Sequence, residues 1–181
     1  MGIHDAGFCW MLEPGQVFDT PEVLMTYTHR GLTRLSQTYH HFIRHNICRS
    51  PFALERRPVL LNSWEAAYMD ISEEKLLSIA QGAKELGVEL FVIDDGWFGQ
   101  RDDDFRSLGD WFPNRRKLPQ GLKPTLEKIR SLGLKVGLWV EPEMVNEDSQ
   151  LYRTHPDWAL TVPGRKPTMS RSQLVLNMSR K

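Results

Sequence analysis

Little in this 181-residue chain marks a compartment or a charged partner. Cysteine is scarce, with Cys9 and Cys48 the two thiols. So few exclude a disulfide-stapled scaffold and point to reduced, packing thiols in a cytoplasm. An excess of either charge is lacking, because 23 basic side chains balance 23 acidic ones. That removes the usual grounds for a nucleic-acid or anionic-membrane partner. No apolar run approaches the roughly 20 residues of a spanning helix. Met1-Gly-Ile-His-Asp5 has neither the basic start nor the apolar core of a secretory signal. Glycine-rich phosphate loops of the G-x-G-x-x-G kind are missing, and so is low-complexity sequence. What is there is 40% hydrophobic, enough for one ordinary domain.

The most telling stretch is Phe91-Val-Ile-Asp94-Asp95-Gly96-Trp97. Val88 to Ile93 reads as a buried parallel strand. Charges are rarely buried without partners, so Asp94 and Asp95 belong where that strand leaves the core. The carboxyl edge of a parallel sheet is where α/β folds keep their active sites. Trp97 could offer an apolar face to a sugar-like ligand. The plainer alternative is a turn, since Asp and Gly are ordinary turn residues.

The chain changes character near Pro58. Before it, extended-looking pieces (Phe8 to Leu12, Val23 to Thr28) precede a His-rich stretch, Gly31 to Ile47, with helical spacing at Leu32, Leu35, Tyr39 and Phe42. After it, strands and helices alternate. Val59 to Asn62 reads as a strand. Ser72 caps a helix whose Leu76, Ile79, Ala80, Ala83 and Leu86 share a face, and Gly87 stops it. A second helix carries Leu122, Leu126, Ile129 and Leu132, stops at Gly133 and leads into a strand from Leu134 to Val140. Glu85-Leu86-Gly87-Val88 and Ser131-Leu132-Gly133-Leu134 are copies of one βαβ scheme. Leu174 to Leu176 reads as a fourth strand. The abrupt end after it suits a truncated barrel better than a finished small domain.

Other polar groups have modest readings. Asp102-Asp103-Asp104 follows Arg101 without calcium-loop spacing and reads as a solvated, mobile loop. His40, His41 and His45 read as surface or domain-contact side chains, because no H-E-x-x-H arrangement accompanies them. Glu141 and Glu143, at a strand's carboxyl end, are candidates for a pocket's hydrogen-bond shell.

Six segments occur in order: N62-S-W-E-A-A-Y-M-D70, F91-V-I-D-D-G-W-F-G99, L108-G-D-W-F112, G137-L-W-V-E-P-E-M144, L151-Y-R-T-H-P-D-W158 and R171-S-Q-L-V-L176. Together they resemble the first half of the catalytic barrel of family 36 glycoside hydrolases, the α-galactosidases or melibiases. G7-F-C-W10, P21-E-V-L24 and F42-I-R-H-N46 resemble the end of that family's N-terminal β-sandwich. The resemblance implies an α/β fold: residues 58–181 as the first three to four units of a (β/α)8 TIM barrel, preceded by the end of a β-sandwich domain in 1–57. It implies retaining removal of terminal α-linked galactose from melibiose- and raffinose-type sugars, without cofactor or metal. It gives Asp94 and Asp95 the galactose hydroxyls at positions 4 and 6, places Trp64 and Trp139 in the pocket wall, and makes Arg171 a sugar or carboxylate partner. It also implies that no catalytic carboxylate lies within 1–181, since the nucleophile's Lys-x-Asp motif and the acid/base follow later. The resembling enzymes are often tetramers. The chain departs from the pattern at Ser170 and Ser172, where the family has Gly and Asn or His, and at Asn177, where it has Asp. A metal-dependent barrel lyase or isomerase and a non-catalytic carbohydrate-binding remnant are the alternative readings.

Overall fold

Isolated apolar residues between Pro14-Gly15 and Pro21 give the chain's first part few partners, and its structure follows from that. In the computed structural model, which describes residues 3–4, 6–167 and 169–180, the chain divides into units Met1–Arg56 and Arg57–Lys181. In the first unit α1 spans Gly31–Phe42 and widens into a π-helical turn, Ile43–Ile47. Its i,i+4 spacing stacks the exposed His41 and His45 rings with centroids 4.3 Å apart. Trp10 and Phe8 lean on Phe18. Among the described residues the extended pieces of this unit form no ladder with one another. One expectation is corrected here. Cys9 and Cys48 are free and exposed rather than packing thiols, because no described residue of this unit is buried.

In the second unit the three apolar runs form one parallel sheet. β1 (Leu60–Asn62), β2 (Leu90–Ile93) and β3 (Lys135–Leu138) lie in that order, with Leu61 opposite Phe91 and Phe91 opposite Val136. Between β1 and β2 come α2 (Trp64–Ala67) and α3 (Glu73–Glu85); α4 (Leu122–Ser131) joins β2 to β3. Phe91 and Ile93 of β2 are fully buried with Leu76 and Ala80 of α3, Ile129 of α4, Phe98, Leu108 and Leu118. Each of these Leu, Ile and Phe side chains contributes ~1.5–3 kcal/mol by leaving water. The Ser72 hydroxyl caps α3 by accepting from Lys75 N at 3.1 Å.

Glu73 also clips α3 to α4, accepting from Thr125 Oγ1 at 2.9 Å and from Lys128 Nζ at 2.5 Å. The hydrogen bond from Lys128, then that from Thr125, holds its carboxyl below the usual value of 4.5. A carboxylate depressed by folding stabilises above its unfolded pKa and loses that stabilisation as pH falls through the folded value. Lys128→Ala is therefore expected to flatten the acid side of a stability-versus-pH curve below about pH 4.5, leaving neutral stability changed by under about 1 kcal/mol. Urea denaturation at several pH values checks this.

The proposed fourth strand is a correction. β4 (Met144–Val145), β5 (Met169–Ser170) and β6 (Gln173–Val175) form a separate antiparallel sheet in the order β4-β6-β5. Leu174 faces Val145 in that sheet and not the parallel one. The cause is local: Ser170 pairs with Gln173, so Arg171 and Ser172 alone make the connection. Two-residue connections join antiparallel strands, whereas parallel ones need a long crossover. The Asp102–Asp104 loop is also pinned, not loose. Asp102 holds Arg116 and Lys117, Asp103 holds Arg106, and Asp104 holds Arg101.

Candidate functional site

Parallel strands aim their carboxyl ends at one rim, and the side chains that follow β1, β2 and β3 converge there. Asn62, Trp64, Glu65, Asp94, Asp95, Trp139 and Arg171 line a cavity of about 400 Å³. All five residues singled out in the sequence (Trp64, Asp94, Asp95, Trp139, Arg171) meet in it.

The two aspartates differ in environment. Asp94 is half-buried and oriented by β1: Asn62 Nδ2 donates to its Oδ2 at 2.5 Å, while its backbone N–H donates to Ser63 Oγ at 3.0 Å. Asp95 is buried. Its Oδ1 accepts from Gly96 N at 2.6 Å and Arg101 Nε at 3.0 Å, and its Oδ2 accepts from Arg101 Nη2 at 2.9 Å. Arg101 is fully buried. A forked pair of this kind leaves Asp95 few free lone pairs, fixes the orientation of its carboxylate and offsets its charge.

Arg101 was missed in the sequence because it opens a run of aspartates that reads as solvent-facing. Its remaining N–H groups reach Arg106 O at 3.0 Å and Asn146 Oδ1 at 2.9 Å. Asn146, also fully buried, uses its whole side-chain capacity. Oδ1 accepts from Arg101 and from Leu108 N, and Nδ2 donates to Asp104 O and Ser172 O. The Asp95 clamp and the hairpin that carries Arg171 thus share one amide. The signal that could have found Arg101 is the demand itself: an aspartate sinking at a strand end needs a cation.

Trp139 follows β3, donates its backbone N–H to Ile93 O at 2.9 Å and faces Phe98 and Trp111. Trp97 is corrected: it is 3% exposed and its indole N–H donates to Trp139 O, so it is core rather than a ligand face. Glu141 does not line the cavity. Burial, more than repulsion from Glu143 and Asp95, raises its pKa above the usual glutamate value, while Arg171 and Arg101 oppose the rise. Among the described residues no three His, Cys, Asp or Glu side chains converge as a metal would need. No described helix is long and apolar enough to cross a membrane.

Arg171 and Ser172 both have positive φ, +52° and +62°. A two-residue hairpin with two positive φ values is a type I′ turn, which favours Asn and Gly. Ser172 stands where the resembling family has Asn or His, and a left-handed residue costs ~1–2 kcal/mol unless it is Gly or, less so, Asn. Ser172→Asn is expected to raise the melting temperature by roughly 2–4 °C per kcal/mol regained, read by calorimetry, with the backbone carbonyl still free to accept from Asn146.

Residues 17–181 match the melibiase family model. The chain belongs to the melibiase family. Among melibiase relatives, α-galactosidase AgaA of Geobacillus stearothermophilus is 56% identical over 180 residues, and Mel36A of Lactobacillus acidophilus is 52% identical. A crystal structure of the Geobacillus enzyme superposes with a TM-score of 0.93 over 99% of this chain and 25% of that protein. The same enzyme has been seen, as variants, in complex with raffinose and with stachyose. The chain spans about a quarter of the length of the curated melibiases it matches.

Proposed function

We propose that this chain supplies the sugar-gripping wall of a retaining α-galactosidase pocket, acting on terminal α-linked galactose of raffinose-type sugars. The observation that carries the reading is the convergence of Trp64, Asp94, Asp95, Trp139 and Arg171 on one cavity. Carboxylates accept from several hydroxyls at once, and indoles supply apolar area beside them. A site that bonds a particular hydroxyl penalises an epimer that leaves its acceptor unpaired. Asp94 is the freer of the two acids and would take a hydroxyl directly. Asp95, already forked to Arg101, would present what acceptor capacity remains.

Neither aspartate serves as nucleophile or acid/base in this reading. Retaining hydrolysis needs two carboxyl groups ~5–5.5 Å apart that flank one bond, whereas Asp95 is tied to Arg101 and Asp94 to Asn62. The nucleophile and the acid/base belong to residues outside 1–181. The parallel β1-β2-β3 sheet with α3 and α4 would form the opening units of a (β/α)8 barrel, and residues 1–57 the end of a preceding β-domain. A cytoplasmic homo-oligomer without cofactor completes the proposal; cell fractionation and size-exclusion chromatography test its location and assembly. The metal-dependent lyase is disfavoured, because the rim acids are already held by an amide and a guanidinium.

The deciding experiment expresses the product of the complete reading frame and assays it on chromogenic α-galactoside, α-glucoside and β-galactoside. Turnover of the α-galactoside alone is the expected result. Galactose binding without turnover would support the carbohydrate-binding alternative, and neither activity nor binding would sink the proposal.

A further inference from the structure

We propose that Tyr68 is a positioning residue that holds the Trp64 indole in the cavity wall, an inference that rests on the galactoside reading above. Asp70 N donates to Ala67 O at 3.0 Å, closing a four-residue turn with Tyr68 as its first central residue. Tyr68 has φ +47° and ψ −133°. That is the first central position of a type II′ turn, the province of glycine. A bulky aromatic there is a backbone outlier.

The surroundings enforce this conformation from both sides. Before it, Tyr68 N donates to Trp64 O at 2.6 Å and ends α2. After it, Met69 is wedged against the loop that follows Asp95: a Cβ on Gly96 would stand 2.8 Å from Met69 Cα. The buried Lys117 Nζ donates to Met69 O at 2.6 Å, fixing the same peptide. Strained residues of this kind persist where neighbours over-determine them, and they concentrate at functional sites.

Burial does not explain a tyrosine at position 68, because Tyr68 is 55% exposed. Its contacts do. Its ring stands edge-on to Trp64, with centroids 5.1 Å apart at 81°, and its hydroxyl donates to Glu65 Oε2 at 3.4 Å. Trp64 and Glu65 both line the cavity. An edge-to-face pair restrains the indole where a sugar face would meet it. Glycine would relax the turn and leave Trp64 free to swing.

The test uses the product of the complete reading frame, with Tyr68→Gly and Tyr68→Phe. Tyr68→Gly is expected to melt at or above the parent temperature. Its KM for a chromogenic α-galactoside should rise about 2–10-fold, the worth of one aromatic pair, with kcat far less affected. Tyr68→Phe should restore KM. Parental KM in Tyr68→Gly, or a lowered melting temperature that Tyr68→Phe also shows, overturns the proposal. A second readout needs no activity: acrylamide quenching of the Trp64 emission, taken as the difference between each protein and its Trp64→Phe counterpart. It should increase in Tyr68→Gly alone, and unchanged quenching overturns the role of Tyr68. If the product acts on no α-galactoside, the functional reading fails while the quenching result still decides Tyr68.

Discussion

Arg101→Met is expected to remove about 3–5 kcal/mol of folding stability, the usual effect of stripping one partner from a buried ion pair. The side chains of Arg101 and Asp95 are 0% and 6% exposed, so water cannot replace the lost guanidinium around the carboxylate. The change also orphans Arg106 O and one lone pair of Asn146, each costing ~1–3 kcal/mol if left unmet. Methionine matches the stem of arginine in length, which isolates the electrostatic loss from a packing loss. The double variant Arg101→Met/Asp95→Leu should recover much of the stability, since replacing both members of a buried pair is often neutral. Urea midpoints with unchanged slopes measure both. A single variant within about 1 kcal/mol of the parent would show the pair to be hydrated and the clamp of no consequence.

The second large effect concerns binding. Asp94→Asn keeps the shape of the side chain but leaves one oxygen for two donors, Asn62 Nδ2 and Asp95 N, which now bond separate oxygens, and it removes the charge that strengthens hydrogen bonds to hydroxyl donors. Bonds to charged groups are worth ~1.5–3 kcal/mol. At 1.36 kcal/mol per factor of ten, KM for an α-galactoside is expected to rise roughly 10–150-fold in the product of the complete reading frame. Stability should change by only about 0.5–1.5 kcal/mol, the worth of one lost hydrogen bond, because Asp94 is half-buried and holds no cation. Asp95→Asn behaves differently: it uncovers Arg101, so fold and binding suffer together. Steady-state kinetics beside denaturation distinguish the two aspartates. Equal losses of stability in both would contradict the division of labour drawn from their surroundings.

The parallel sheet and its two helices were legible because their signals are local. Apolar runs, the Ser72 cap and the stops at Gly87 and Gly133 each act within a few residues. The strand ends shortened, from Val88–Ile93 to Leu90–Ile93 and from Leu134–Val140 to Lys135–Leu138, where ladder partners ran out. Leu174–Leu176 carried the same apolar signature, but pairing depends on what a two-residue turn allows, and that is invisible in composition. In the site, acids and tryptophans stood out as residue types. Arg101 did not, because it opens a run of aspartates that reads as solvent-facing, and Asn146 did not, because its role arises only when segments up to 45 residues apart in sequence meet. Trp97 lies two residues beyond Asp95, yet the chain's reversal at Gly96, with φ +94°, turns it into the core.

Asn146 constrains how this protein can change over generations. An amide donating twice and accepting twice in a dry interior tolerates no gradual replacement; any single exchange strands a neighbour at once. Only Arg101 meets it with a side chain, the other partners being the backbone groups of Leu108, Asp104 and Ser172, so variation at position 146 must await a compensating alteration at 101 and still serve those three. The order of mutations, as much as their identity, determines which descendants remain viable.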